Sequence, residues 1–226
     1  MERQPMTLPE NVIVAATRNK HKIREMEAIM ARFGMRIIPR DEAGVPDVEI
    51  VEDGKNFEEN SRKKAVEIMK LCGRPTIADD SGLEVDCLGG APGIYSARFA
   101  AMPDDLLPNG AVREAAAAAS AEDSNDKDNN RKLIRLIRGI PYEDRTSRFV
   151  SVITLVFPDG EIITARGTVK GHLLLEEKGE GGFGYDPLFV PEGYDKTFGQ
   201  LPAERKNRIS HRANALKKLE EELQKR

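Results

Sequence analysis

Apolar and polar positions alternate along the chain in three rhythms. From Val12 to Ala16 the run VIVAA is unbroken and ends in polar residues, the mark of a buried strand. Ile23, Met26, Met30 and Phe33 then recur at helical steps until Gly34 stops the pattern. Asn56 can cap a second helix reaching about Leu71, closed by Gly73 and Pro75. Thr76 to Ala78 reads as a short strand ending in two aspartates. Arg148 to Phe157 and Glu161 to Arg166 flank Pro158-Asp159-Gly160, which predicts a hairpin. A last helix starts near Ser210, with Ala213, Leu216, Leu219 and Leu223 along one face. Helices and strands alternate early and a hairpin follows, so the pattern predicts an α/β protein with a mixed sheet.

Composition narrows the class. The 226 residues suffice for one substantial core, or for two lobes sharing one. No linker divides them, so residues 1–226 read as a single domain. The stretch from Asp104 to Asn130 stands apart: Ala115 to Ala119 lies between Asp-, Asn- and Ser-rich flanks, and reads as a loose helix or a mobile loop. A net charge of −3 supplies no global basic field for nucleic acid. The longest apolar stretch, Phe149 to Phe157, contains two hydroxyls and is far short of a membrane span. Met1 to Pro9 has no apolar segment to serve as a secretory signal. Two cysteines and three histidines argue against a disulfide framework and a structural zinc site. These features lead to the expectation of a cytoplasmic protein with no membrane and no nucleic-acid partner.

Five polar constellations carry candidate chemistry. Thr17-Arg18-Asn19-Lys20-His21-Lys22 lies between strand and helix; it is either a solvated cap or a place where helix-start N–H groups, Thr17, Asn19 and Lys22 gather around a phosphate. In Asp79-Asp80-Ser81-Gly82, adjacent side chains of an extended chain point to opposite faces, so the two carboxylates have different jobs. An acidic turn after a buried strand suits magnesium, which shares oxygen ligands with substrate phosphates; a solvated turn is the plain alternative. Glu58 and Glu59 suit a helix start without any function, and Glu59/Lys63 and Asn60/Lys64 lie four apart on one helical face, where a solvated ion pair competes with a site. Gly179 to Pro187 fits the G-x-G-x-x-G spacing, but Tyr185-Asp186-Pro187 cannot open the helix that a dinucleotide fingerprint requires. Its glycines and two aromatics suggest a backbone passing close to a flat ligand, with a ring to stack on it. Lys196, Arg205, Lys206, Arg208, His211 and Arg212 form a basic cluster before and at the last helix. An acidic metal site, a stacking loop and a basic helix start are together what a nucleoside triphosphate requires.

The motifs Thr17-x-Asn19-x-x-Lys22, Glu59-Asn60-x-x-x-Lys64-Ala65, Asp79-Asp80-Ser81-Gly82-Leu83, Gly89 to Arg98 (GGAPGIYSAR), Phe183 to Phe189 (FGYDPLF) and Ser210-His211-Arg212 resemble, in order, those of the inosine/xanthosine triphosphate pyrophosphatase family. The resemblance covers Val12 to about Leu219. It implies an elongated mixed α/β fold with two lobes around a long central sheet, an active-site cleft between the lobes, and a homodimer. It implies magnesium-dependent hydrolysis of ITP, dITP, XTP and dXTP to the monophosphate and pyrophosphate, which cleanses the nucleotide pool. By position, Thr17, Arg18, Asn19, Lys20, His21, Lys22 and Lys206 would hold the triphosphate, and Asp80 would be both proton acceptor and metal-site carboxylate. Ser81 would touch substrate, Phe183, Gly184, Tyr185 and Asp186 would line the base pocket, and His211 and Arg212 would contact the nucleotide. Glu52 matches a metal-site acid, although Val51-Glu52-Asp53-Gly54 stands where the family commonly has two glutamates. The family also passes from Arg98-Phe99 to the Asn129-Asn130 helix by a shorter loop, which marks about 104–124 as an insertion.

Three other readings compete. A pyrophosphatase of similar shape could act on pyrimidine triphosphates, against which the Phe-Gly-Tyr-Asp-Pro and Ser-His-Arg motifs speak. A non-catalytic nucleotide sensor would have no use for Asp79-Asp80. A nucleic-acid-binding module predicts salt-sensitive binding to oligonucleotides.

Overall fold

The computed structural model describes residues 11–103 and 124–225; the insertion expected at about 104–124 therefore falls almost wholly outside the described residues. The chain runs β1 (Val12–Ala15), α1 (Lys20–Met30), β2 (Arg36–Pro39), α2 (Phe57–Cys72), β3 (Thr76–Val85), a 3-10 segment (Gly93–Ala101), α3 (Asp126–Ile137), β4 (Thr146–Val156), β5 (Ile162–Leu173), β6 (Phe189–Pro191), α4 (Ala203–Ile209) and α5 (His211–Leu223). The strands form one mixed sheet in the order β2-β1-β3-β4-β5-β6. β1 is parallel to both its neighbours, and every pairing from β3 to β6 is antiparallel.

Local signals set the helix starts. Asn19 caps α1, its side-chain oxygen accepting from the N–H groups of His21 and Lys22. Asn56 caps α2 through the N–H of Glu59, and Ser210 caps α5 through that of Ala213. Each cap satisfies donors that a helix cannot satisfy internally. Gly73 ends α2 at φ 62°, in the left-handed region that glycine enters without steric cost.

The strands differ from the expectation in extent. β3 does not stop at Ala78. It continues through Asp79-Asp80-Ser81-Gly82 to Val85, because β4 supplies a continuous ladder from Thr76↔Val156 to Val85↔Ser147. The acidic pair therefore sits in mid-strand, with its backbone satisfied by a distant segment. β5 likewise outruns Arg166 by seven residues, paired with β4 throughout.

Among the described residues four apolar clusters cover the sheet, the smallest being Phe57 with Val150 and Val152. On one face, Ile77, Ile153 and Ala165 meet Met26 and Met30 of α1 and Leu216 and Leu219 of α5. On the opposite face, Ala78 and Val156 meet Ala65 and Ile68 of α2. The far halves of the long strands contribute Leu83, Val85, Phe149 and Leu173 to a third core with Phe99, Leu133 and Ile137, joined by Tyr185, Phe189 and Phe198. Gly167 of β5 lets α5 lie against the strand, since a Cβ there would stand 2.1 Å from the His211 carbonyl oxygen.

Candidate active site

Two features of β3 open a site. β1 pairs with β3 only at Val14↔Thr76 and Ala15↔Ile77, and the Ala16 N–H closes the last link to the Ile77 carbonyl at 2.8 Å. Beyond Ile77 the chain peels away into Thr17 to Asn19, so β3 at Asp79 and Asp80 has no β1 neighbour. This lies at the carboxyl end of β1, where open α/β sheets bind ligands. Strand alternation then sends Asp79 to the face of α1 and α5, and Asp80 to the face of α2. The two carboxylates do have different partners.

Asp80 is 5% exposed, and its Oδ1 accepts from Lys64 Nζ at 3.0 Å. The same ammonium donates to Glu52 Oε2 at 2.9 Å and to the Asp79 carbonyl at 3.1 Å. Asp80 Oδ2 is buried with no partner. Burial raises the Asp80 carboxyl, Lys64 opposes this and Glu52 adds to it, and the acid ends pushed up to about 6. Burial would also raise Glu52, but Lys64 beside it outweighs that and holds it below the usual range. Burial works against the Lys64 charge, which Asp80 and Glu52 together more than restore. The competing reading, an ion pair between Glu59 and Lys63 on α2, gives way to other partners. Lys63 bonds Asp53 at 2.7 Å, while Glu59 folds back to the Lys55 N–H at 2.8 Å and Asn60 accepts from the Gly54 N–H at 2.8 Å.

Asp79 has no solvent exposure and four partners. Its Oδ2 meets Arg212 at 3.1 Å and Lys22 at 3.0 Å, and accepts from Ser81 Oγ at 3.0 Å; its Oδ1 accepts from Ser151 Oγ at 2.5 Å. Burial alone would raise this acid, but Arg212 and Lys22 override it and hold Asp79 well below the ordinary range. Arg212 also bonds Glu25, which shares Lys206 at 2.7 Å; Lys206 in turn bonds Asp186 Oδ2 at 2.7 Å. Charges of opposite sign thus alternate from Lys22 through Asp79, Arg212, Glu25 and Lys206 to Asp186. Burial would raise Glu25, yet Arg212 and Lys206 bring it below its usual range.

The residues expected to bind nucleotide divide between exposed or half-buried positions and the core. Thr17 accepts from the Asn19 N–H at 3.1 Å, and Asn19 occupies two helix-start donors, leaving fewer of them for a phosphate than the spacing implied. Arg18 pairs with Asp47, and Lys20 and His21 are exposed. Phe183 is half-buried and stacks on His21 with ring centroids 5.3 Å apart; Lys206 Nζ lies 4.9 Å from the Phe183 ring centre and the Arg212 guanidinium 5.9 Å. Tyr185 is not available to stack on a ligand: it lies in the far core, and its hydroxyl donates to the Ser96 carbonyl at 2.8 Å. Asp186 is buried and accepts from the Phe183 N–H at 2.8 Å, so it holds the loop from below. His211 is buried too, stacked on Phe149 at 4.8 Å, and burial with Arg212 and Lys206 nearby keeps its ring neutral. Gly184 is held by its backbone, its N–H donating to Asp126 Oδ2 at 2.7 Å and its carbonyl accepting from Asn130 at 3.1 Å.

Lys64, Glu25 and Asp79 complete the constellation beyond the residues to which the resemblance gave a role. Lys64 and Asp79 were already in conspicuous motifs. Glu25 had one faint signal, its place one turn after Lys22 on α1.

The chain matches the model of a known family over residues 13–222. The chain belongs to the Ham1 family. It is 45% identical over 212 residues to the dITP/XTP pyrophosphatase of Desulforamulus reducens, covering 93% of this chain and 94% of that one. Its identity to the dITP/XTP pyrophosphatase of Clostridium perfringens is 42% over 216 residues, covering 93% and 96%. Among solved structures, the Staphylococcus aureus Ham1 protein superimposes with a TM-score of 0.75 at 38% identity, covering 94% of this chain and 98% of its own. A HAM1 protein from Coxiella burnetii gives 0.76 at 31% identity, covering 95% and 99%. The matched stretch, residues 13–222, includes the charged groups of the site from Lys22 to Arg212.

Proposed function

We propose that this chain hydrolyses non-standard purine nucleoside triphosphates, dITP and XTP with their ribo- and deoxy-counterparts, to the monophosphate and pyrophosphate. The observation that carries the reading is the split of Asp79 and Asp80. One carboxylate is locked into the charged network around Phe183, and the other keeps a free oxygen beside Glu52 and Lys64. The relatives' activity as dITP/XTP pyrophosphatases supports it.

Asp80 is the proton acceptor in this reading. A water oxygen bonds to the α-phosphorus, its proton passes to the Asp80 carboxylate, and the bond from α-phosphorus to the bridging oxygen breaks to release pyrophosphate. Lys22 and Lys64 reduce the repulsion between the incoming water and the phosphate charges. Phe183 stacks on the purine, and donors near it distinguish a 6-carbonyl from the 6-amine of adenine. Guanine shares the 6-carbonyl, so GTP must be rejected through its 2-amino group.

The donor set fits magnesium. Asp80 offers a buried oxygen without a partner, and Glu52 meets it at the same ammonium. Among the described residues no cluster of three or more His, Cys, Asp or Glu is assembled. Magnesium is usually held by one or two carboxylates, with water and substrate phosphate completing its shell. Asp80 and Glu52 would hold the ion, which when bound neutralises phosphate charge. We further propose a cytoplasmic homodimer.

The test is pyrophosphate release from dITP, XTP, GTP, ATP and dUTP with magnesium and with EDTA. The expected result is preference for the first two, lost in EDTA. Comparable kcat/KM for dITP and ATP overturns the reading, and preference for dUTP would favour a pyrimidine enzyme.

A further inference from the structure

The loop that carries Phe183 is held by a helix with no part in the charged network. Gly184, at φ 60°, is gripped on both sides of its peptide chain by the first turns of α3. Asp126 Oδ2 accepts its N–H at 2.7 Å, and Asn130 Nδ2 donates to its carbonyl at 3.1 Å and to Glu177 Oε1 at 2.6 Å. Asn130 is 2% exposed, and its Oδ1 has no partner. Packing alone would favour an apolar side chain there, because a buried carbonyl without a donor is costly. The two bonds from Nδ2 are what the asparagine contributes.

Its neighbour ties the same turn to a second segment. Asn129 accepts from the Ala100 N–H at 2.7 Å and donates to the Ala97 carbonyl at 3.1 Å, while Tyr185 reaches the Ser96 carbonyl of that segment. Gly184 is therefore pinned between a half-buried ring stacked on His21, Phe183, and a ring sunk in the core, Tyr185. With its N–H and carbonyl both committed to α3, neither peptide group flanking Gly184 can rotate without breaking a hydrogen bond, so the backbone that carries Phe183 is oriented from α3.

We propose that Asp126 and Asn130 are positioning residues for base selection, fixing the backbone of Gly184 and through it the plane of the Phe183 ring. The inference rests on the reading that Phe183 stacks on the purine, and it adds the elements that set the stacking geometry. Neither residue touches the reacting phosphate, so their loss changes how the base is held and leaves proton transfer to Asp80 intact.

Steady-state pyrophosphate release from dITP and ATP, with a thermal melt of each variant, tests this. Asp126 is exposed at the surface, so Asp126→Ala is expected to fold normally. KM for dITP should rise about tenfold, roughly what one lost hydrogen bond is worth. The preference for dITP over ATP should fall by a similar factor, with kcat little changed. Asp126→Asn keeps an oxygen to accept the Gly184 N–H and should restore both values to within about twofold. This pair separates the hydrogen bond from the charge of Asp126 at a helix start, which both variants remove. Asn130→Asp deletes the donor to Gly184 and sets a carboxylate against Glu177, so it should match or exceed the Asp126→Ala effect. The proposal is overturned if Asp126→Ala leaves KM and base preference unchanged, or if Asp126→Asn is as impaired as Asp126→Ala. Failure of the function reading looks different, since the unmodified protein would then show no preference for dITP over ATP.

Discussion

Arg212 and Asp79 meet at 3.1 Å with neither side chain exposed to solvent, joining the first residues of α5 to the middle of β3. The pair is one link in a chain of buried charges in which Glu25 and Lys22 supply the neighbouring partners. Two charges removed from water are tolerated only while each has its counterpart, so breaking such a pair costs far more than its formation gains. Arg212→Met would leave Asp79 and Glu25 short of a cation, and we expect a loss of about 3–5 kcal/mol. For a chain of this size that lowers the melting temperature by on the order of 10 °C. Asp79→Asn in the same background should recover part of the loss. A single Arg212→Met variant melting with the parent protein would show that the network carries no net load.

Asp80→Asn should keep the fold, because Lys64 retains Glu52 as a partner. Without the proton acceptor, kcat for dITP should drop by about 10²–10⁴, with KM changed little. Near-normal turnover would remove Asp80 from the role of base. The carboxylate form is the active one and the acid sits at about 6, so kcat/KM should fall as pH drops through 6 and level off above it.

His211 gives stability its own pH dependence. Its pKa in the folded protein is well below the ordinary 6.5, so below that pH the unfolded chain takes up a proton that the folded one refuses. Stability from this group is therefore present above about 6.5 and declines as the solution becomes more acidic. The raised acids Asp80 and Asp186 act in the opposite sense, so the difference between variant and parent isolates the histidine. The stability gap between the parent and His211→Gln should narrow from pH 8 to pH 5. A gap independent of pH would mean that His211 takes up a proton in the fold as readily as in the unfolded chain.

Gly167→Ala tests how α5 is seated. The new methyl would meet the His211 carbonyl oxygen and the Ala215 nitrogen, 2.1 and 2.2 Å away, and both are backbone atoms that cannot turn aside. Overpacking of this kind typically costs about 1–3 kcal/mol. Because α5 carries Arg212, a raised KM for dITP should accompany the lower melting temperature. Unchanged stability would mean that the helix shifts without loss.

Much of this protein was legible along the chain wherever the cause is local. Asn56 and Ser210 announced their helices because a cap acts on the next two or three N–H groups. The opposite placement of Asp79 and Asp80 followed from the two-residue period of an extended backbone. The membership in the Ham1 family was readable from motifs in order, before any geometry.

What the tertiary structure decided are relationships over long separations. β3 extends through Asp79-Asp80-Ser81-Gly82, a segment of low strand propensity, because β4 pairs with it from some 70 residues away in the chain. Tyr185 and Phe183 are both aromatic and two positions apart, and the sequence by itself offered both for stacking. Only the third core and the Ser96 carbonyl draw Tyr185 inward and leave Phe183 half-buried against His21. Glu25 became part of the site because Lys206, 181 residues later, reaches it in a buried space where neither charge can stay unpaired. Caps and strand alternation depend on neighbours in sequence, whereas desolvation and its compensation depend on neighbours in space.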